Sequence, residues 1–514
     1  MTPRSLLAAL LLAAAPALTA LAQDAPDDWH LRDRDADGVV GINLAGAYAL
    51  LGDRQPEEVV VAIIDSGVDV EHPDLAPVLW TNPGEVPGNG LDDDGNGYAD
   101  DVHGWSFLGG ADGRNVEHDT YELARLVALC RAGTPDATYS DCDALEAELE
   151  EERAPLAGQA VQIGQFVAQA RAADGLLRER FGDAYDAEDP GALDVGADAE
   201  AERAQRMMVF LADQGASVAD AEAYLESVTS RLEYGLNPDY DPRDLVGDDY
   251  ADVAERFYGN ADVTGPDSNH GTGVAGLVAA ARGNGIGIDG IAPARIMALR
   301  AVPGGDERDK DVANAIRYAA DNGAHVINMS FGKAFSPQKA AVDEAVAYAV
   351  SKGVLLVHAA GNSAEDLDAE ANFPNRRLLD GTEVGGWLEV GASTRADTAL
   401  AAPFSNFGRA GVDLFAPGAD VTSLKPGGRV QTANGTSFAA PVVAGVAALV
   451  MAYFPELSAE EVRQVLLDSA TRYAETETAR PGAEDAVRFG DLSATGGVVN
   501  AAEAVRLAIE RSGA

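Results

Sequence analysis

Three short segments hold the residue types that acyl transfer needs. Asp65-Ser66-Gly67-Val68-Asp69 puts a carboxylate directly after an apolar, β-branched run, Glu58 to Ile64. Asn269-His270-Gly271-Thr272-Gly273-Val274-Ala275-Gly276 offers an imidazole base at the head of a small-residue stretch. Asn434-Gly435-Thr436-Ser437-Phe438-Ala439-Ala440-Pro441 sets a hydroxyl at the start of an apolar helix. A serine hydroxyl is a poor nucleophile near neutrality until a base takes its proton, and a carboxylate can hold that base in the right tautomer. Singly, each segment has an ordinary structural use: a turn cap, a structural histidine, a helix N-cap. Together, in the order acid, base, nucleophile, they predict a triad of Asp65, His270 and Ser437.

Such a triad needs a rigid frame. Glu58 to Ile64, Ile296 to Val302, His325 to Met329, Val354 to His358 and Trp387 to Val390 read as buried strands. Helical patterns lie between them over 309–322, 337–352 and 437–453. Alternating strands and helices predict an α/β fold with a mostly parallel sheet, and Asp65 then sits at the C-terminal end of a strand, where such sheets place their sites. Residues 110–265 differ. They lack a clear buried strand, are strongly acidic and contain no Lys. Helical spacing over 143–181, interrupted near Pro155, and over 199–232 predicts a mainly helical insertion rather than a disordered linker. The expected organisation is therefore a leader at 1–22, an N-terminal segment at 23–55, a first catalytic part at 56–109, the insertion at 110–265 and a second catalytic part at 266–514.

Composition narrows the function classes. Of 514 residues, 37 are basic and 84 acidic, a formal net charge of −47. That excess argues against nucleic acid and against an anionic membrane surface, and it favours bound divalent cations. Met1 to Arg4, the apolar Leu6 to Ala15 and Ala20-Leu21-Ala22 have the three parts of an export signal cut before Gln23. The apolar part is short for a membrane span, and no Cys follows the cleavage site, so no stable membrane anchor is expected and the mature chain is read as secreted or periplasmic. Cys130 and Cys142, the two cysteines, could close a short loop in such a compartment or remain free thiols. The 7 His show no HExxH-type spacing, which disfavours a metallopeptidase.

The sequence resembles the subtilisin-like serine peptidases, or subtilases, in four segments: VAIIDSGVDVEHPDL (61–75), SNHGTGVAG (268–276), HAAGN (358–362) and NGTSFAAPVVAGVAALV (434–450). The resemblance covers roughly 56–108 and 266 to the C-terminus, and the start Trp29-His30-Leu31, the acidic glycine loop and the long insertion resemble a bacterial subset. It implies the subtilisin-like three-layer fold and a serine endopeptidase acting on protein or peptide substrates. It further implies that Asn362 donates to the oxyanion beside the Ser437 N–H, and that Ser330-Phe331-Gly332 pairs with substrate as an added strand. Backbone pairing implies modest side-chain selectivity, with an uncharged residue before the scissile bond.

The resemblance also implies structural Ca2+. Asp74 matches a family ligand, with Asn284 supplying a side-chain oxygen and Arg282, Ile286 and Ile288 backbone carbonyls. Asp92, Asp94, Asn96 and Asp100 form a second candidate that starts like an EF-hand loop but has His103 where the twelfth-position Glu belongs; an acidic solvated turn is the alternative. Asp33-x-Asp35-x-Asp37 is a weaker copy, and Asp33 or Asp37 could add a ligand to the first site. Two departures stand out. The family's His-Gly-Thr-His pattern reads His270-Gly271-Thr272-Gly273, and the segment between Gln23 and the first strand is too short for the family's propeptide domain, a role the insertion could take over. A catalytically silent binding protein on the same fold, and a calcium-dependent adhesion module, are the readings from other classes.

Overall fold

The computed structural model describes residues 28–513, so the expected leader and its cleavage site lie outside the described residues. The chain divides into two compact units. Among the described residues, the first takes in 28–117, Arg243–Pro303 and 307–513; the second is His118–Pro242 with Gly304–Asp306. Residues 110–117 and 243–265, at the two ends of the expected insertion, thus belong to the first unit.

The first unit is built on β1 (Val60–Asp65), β2 (Gly104–Ser106), β3 (Arg295–Arg300), β4 (Val326–Met329), β5 (Leu355–Ala359), β6 (Trp387–Ser393), β7 (Leu414–Pro417), β8 (Val421–Lys425), β9 (Arg429–Ala433), β10 (Thr471–Arg472), β11 (Glu477–Ala479), β12 (Ala486–Arg488) and β13 (Gly497–Val498). Nine of them form one sheet in the order β10-β13-β7-β6-β5-β4-β1-β3-β2. Every pair in it is parallel except β10 with β13. β8 with β9, and β11 with β12, make separate antiparallel hairpins.

All six residues of β1 are buried, as a parallel strand covered on both faces requires. Its side chains alternate between two cores. Val61 and Ile63 join the core that contains the helix Thr436–Tyr453, while Ala62 and Ile64 face the core shared with the helices Asp309–Asp321 and Lys339–Ser351. The result is the α/β fold that the alternation of strands and helices implies, in the three layers that the resemblance implies. The helix Thr436–Tyr453 is long and apolar enough to cross a membrane, yet nearly all of it is buried inside the sheet layers, which explains why it is apolar all round. β10 and β13 have two residues each, and β7 four, too short to show a period in the sequence. The helix Ala459–Ser469 did carry a local signal, a capping box between Ser458 and Glu461.

The second unit is helical: Glu122–Arg131, Cys142–Phe181, Ala199–Asp213 and Val218–Ser230. The expected break near Pro155 does not occur, because Pro155 lies inside one 40-residue helix. Leu145 and Leu149 before the proline and Ile163, Val167 and Leu177 after it are all buried, so burial along the helix's length outweighs the missing N–H. Ser217, the cap of Val218–Ser230 in a capping box with Asp220, separates the last two helices. Cys130 and Cys142 form a disulfide with Cα atoms 5.6 Å apart, which settles the question the spacing left open.

Candidate active site

Asp65 ends β1 and is 1% exposed. Its Oδ1 accepts the Ser66 N–H at 2.7 Å and meets His270 Nδ1 at 2.7 Å. His270 is the second residue of the helix Asn269–Ala279, which packs against β1. The approach is close enough that glycine is required one residue on: a Cβ on Gly271 would lie 2.2 Å from the Gly67 carbonyl oxygen and 3.1 Å from Asp65 Oδ1. Asp69 strengthens the same junction, since its N–H donates to Thr272 Oγ1 at 2.8 Å. The imidazole pKa stands above its ordinary value. Burial pulls it down, but the charge of Asp65, the hydrogen bond to it and the charge of Asp267 more than offset that pull.

Ser437 is the second residue of the helix Thr436–Tyr453 and is half-buried. Its Oγ donates to the Ser330 carbonyl at 3.2 Å, and among the described residues it makes no hydrogen bond to His270. The hydroxyl proton rotates freely, and such bonds commonly tighten only when substrate binds. Ser437 and Ser330 are locked together by a sequence detail. Pro441, four residues on, has no N–H to give to the Ser437 carbonyl. That carbonyl instead accepts Ser330 Oγ at 2.8 Å, and Ser330 Oγ accepts Asn328 Nδ2 at 2.9 Å.

Asn362 follows β5 after a short turn and is exposed. Its Oδ1 accepts the Thr436 N–H at 2.8 Å and the Thr436 hydroxyl at 3.0 Å. A backbone N–H can only be met by the amide oxygen, so these bonds fix the orientation and leave Nδ2 to donate outward, beside the turn at Gly435. Ser330 is buried and fixed as described, while Phe331 is half-buried and Gly332 exposed. Asn372 was not identified from sequence. Its Nδ2 donates to the Ala359 and Ala360 carbonyls at 3.2 and 3.1 Å, and a Cβ on Gly332 would meet its Oδ1 at 2.3 Å. This carboxamide therefore lies between the end of the Ser330–Gly332 segment and the turn that carries Asn362. Only its position after a long loop links it to the site, so no local signal could have found it.

The two candidate cation loops fare differently. Asp74 is wholly buried, with Oδ1 accepting Asn284 Nδ2 at 2.7 Å and Oδ2 accepting the Ile288 N–H at 3.0 Å. Asn284 Oδ1 accepts the Ile286 N–H at 2.8 Å. Asp74, Asn284 and Ile288 are thus brought together, with Asn284 turning its nitrogen to the carboxylate and Ile288 donating its N–H. The Arg282 guanidinium stacks over Tyr48 at 4.4 Å. The buried Asp74 carboxylate and the loop 282–288 are thus held together by hydrogen bonds between them.

In the second loop, Asp92 and Asp94 come together with Glu85, one carboxylate oxygen of each lying within 4.8 Å of the others. That set of hard oxygens fits Ca2+. Asp100 stands apart from it, because its carboxylate caps the turn 88–90, accepting the Gly88 and Asn89 N–H groups at 2.8 and 3.2 Å. Asn96 Oδ1 is taken by the Tyr98 N–H at 2.8 Å. Asp33 accepts the Ala36 N–H, so the Asp33–Asp37 copy is a self-capped helical turn.

With this geometry in hand, comparison with known proteins gives a consistent answer. The model of the subtilase family matches residues 57–490. A thermophilic serine proteinase of Bacillus sp. (strain AK1) is 38% identical over 245 residues, covering 47% of this chain and 55% of that protein. Subtilisin BL of Lederbergia lenta is 38% identical over 213 residues, covering 41% of this chain and 72% of that protein. The cell wall-associated protease of Bacillus subtilis (strain 168) is 36% identical over 229 residues, covering 44% of this chain and 24% of that protein. The chain spans about half the length of the thermophilic proteinase. The buried carboxylate held on an imidazole, the serine at a helix start and the extent of the family match lead to one conclusion: the chain belongs to the subtilase family of serine peptidases.

Proposed function

We propose that this chain is an exported serine endopeptidase that cleaves peptide bonds through an acyl-enzyme on Ser437. The observation that carries the proposal is the 2.7 Å contact between buried Asp65 and His270 Nδ1, which holds the imidazole with Nε2 free to accept a proton. An extended peptide pairs its backbone along Ser330–Gly332 and brings a carbonyl to Ser437. His270 takes the hydroxyl proton as Oγ bonds to the carbonyl carbon, and Asn362 Nδ2 with the Ser437 N–H receives the charge that develops on oxygen. His270 then passes the proton to the leaving amine. Water repeats the sequence to release the acyl group and return the serine.

Pairing through the backbone along Ser330–Gly332 goes with modest side-chain selectivity and an uncharged residue before the scissile bond. The cell-wall association of the Bacillus subtilis relative, with the signal-like Met1–Ala22, supports action outside the cytoplasm.

Hydrolysis of casein and labelling by a fluorophosphonate test the proposal directly. A folded chain that does neither refutes it. Asn362→Ala is expected to lower kcat by about 10²- to 10³-fold with little change in KM, because the donor acts mainly when the oxyanion forms. Steady-state kinetics on a peptide amide checks this.

We assign structural Ca2+ to Glu85, Asp92 and Asp94, where a bound cation would neutralise three close carboxylates. Removing Ca2+ with a chelator is expected to lower Tm by the loss of about 2.7 kcal/mol if the ion is held at 100 times its Kd. Calorimetry of the wild type beside Asp92→Asn measures it, and an equal Tm for the wild type with and without chelator overturns the assignment.

A further inference from the structure

Gly273 is the point at which the sequence leaves the family's His-Gly-Thr-His pattern, and the structure shows what the missing side chain makes room for. Phe438, directly after the nucleophile, is only 6% exposed. Its ring meets the His270 ring edge-on, with centroids 5.4 Å apart and planes at 65°. Gly273 lies one helical turn beyond His270, on the same side of the helix. A Cβ placed on Gly273 would stand 3.0 Å from Phe438 Cε1, tighter than ordinary packing. Any larger side chain at 273 would occupy the space the phenyl ring fills. Among the described residues the His270 side chain has one hydrogen bond, at Nδ1, and is 37% exposed, so a ring packed on it is what restricts the tilt that hydrogen bond leaves free.

We infer that Phe438 is a positioning residue for the general base, seated by the absence of a side chain at Gly273, and that it holds the His270 imidazole in line with Ser437. The inference rests on the serine peptidase reading and adds the element that fixes the base's orientation. An edge-to-face aromatic pair is favourable in its own right and has a preferred geometry, whereas an aliphatic chain would fill the space without defining an angle. Small misplacements of a reacting group are costly in rate, so the ring should show itself in kcat and not in KM.

The ring also shields His270 from water. The charged groups facing His270 are Asp65 from β1 and Asp267 from the loop before its own helix; the helix Thr436–Tyr453 contains no Asp, Glu, Lys, Arg or His. Both carboxylates stay in place when Phe438 is changed. Since burial is the largest influence on the imidazole and acts to lower its pKa, admitting water raises that pKa.

The test compares the wild type with Phe438→Ala, Phe438→Leu and Gly273→Ala. In Phe438→Ala, kcat on a peptide amide is expected to fall by about 10- to 100-fold with KM within about twofold, and the acid limb of kcat/KM to move to higher pH. Phe438→Leu keeps most of the volume, and its kcat is expected to fall between the two. Gly273→Ala crowds the ring and also brings a Cβ to 3.2 Å from Gln431 Nε2 and 3.3 Å from the Leu424 carbonyl oxygen, so kcat is expected to drop in a variant that folds with a lower Tm. If Phe438→Ala does not fold, Phe438→Leu and Gly273→Ala decide the matter by kcat and pH limb. Unchanged kcat and an unmoved limb in the folded variants, with an active wild type, overturn the inference alone. A wild type that neither hydrolyses peptide nor takes up a fluorophosphonate overturns the peptidase reading and this inference with it.

Discussion

Ser437→Ala is expected to lower kcat on a peptide amide by about 10⁶-fold while KM changes little. The Oγ atom is the only group the proposed mechanism asks to form a covalent bond, and nothing adjacent can replace it. Thr436 is the nearest other hydroxyl in sequence, but it is buried and already donates to Asn362 Oδ1 at 3.0 Å. The oxyanion donors and the binding strand survive the substitution. A residual acceleration on the order of 10³–10⁴ over water is therefore expected from them, as is typical when a triad member is removed. The variant should stay folded. Losing the hydroxyl removes the bond to the Ser330 carbonyl, but the reverse link from Ser330 Oγ to the Ser437 carbonyl at 2.8 Å is untouched. The checking measurements are turnover of a peptide amide, active-site labelling by a fluorophosphonate and a thermal scan. Retained turnover with a normal Tm would mean that another residue is the nucleophile.

Asp65→Asn is expected to cost about 10⁴-fold in kcat. The present contact, Asp65 Oδ1 to His270 Nδ1 at 2.7 Å, requires the proton on Nδ1 and leaves Nε2 as the acceptor that a base needs. An asparagine can turn its NH₂ toward the ring, which favours the opposite tautomer, with Nε2 protonated and unable to take the serine proton.

The pH profile supplies an independent readout. The neutral imidazole is the active form, so the rate rises as pH passes the His270 pKa, which lies above the ordinary 6.5. Removing the carboxylate's charge and hydrogen bond leaves burial unopposed except by Asp267, so the acid limb should move down in pH. The stability linkage has the matching sign. A raised imidazole pKa adds stability that is fully present below the unfolded-state value and is lost as pH rises through the folded one, and Asp65→Asn should remove that increment. A limb that stays in place in Asp65→Asn would show that Asp65 does not face the base in solution.

Much of the frame was legible because its signals are local. β1 reads as a run of buried apolar residues ending in Asp65, since a strand covered on both faces leaves no polar alternation to obscure it. Two helical regions of the second unit, 143–181 and 199–232, announce themselves by spacing, while the helix Glu122–Arg131 and the break at Ser217 were not read. Among the strands that escaped notice, β10 and β13 are too short to have a period and exist only because neighbours pair with them. Pro155 misled for a related reason. Its local cost is fixed by covalent geometry, but whether a helix tolerates that cost depends on burial before and after it.

The order and spacing of Asp65, His270, Asn362 and Ser437, the α/β alternation and the surplus of acidic residues can all be read from the chain, because each is a property of residue types and of neighbours within a few positions. What tertiary structure alone decided are the pairings across long stretches of chain. Asn362 is oriented by Thr436, 74 residues away, and Ser330 meets the carbonyl that Pro441 leaves open on Ser437, 107 residues away. Glu85 joins Asp92 and Asp94 while Asp100 turns aside to cap a turn, and Asn284 shows Asp74 its nitrogen. Hydrogen-bond direction and ring contact depend on where the backbone places each atom to within a fraction of an ångström. Residue spacing carries no information at that scale, and packing of the whole fold supplies it.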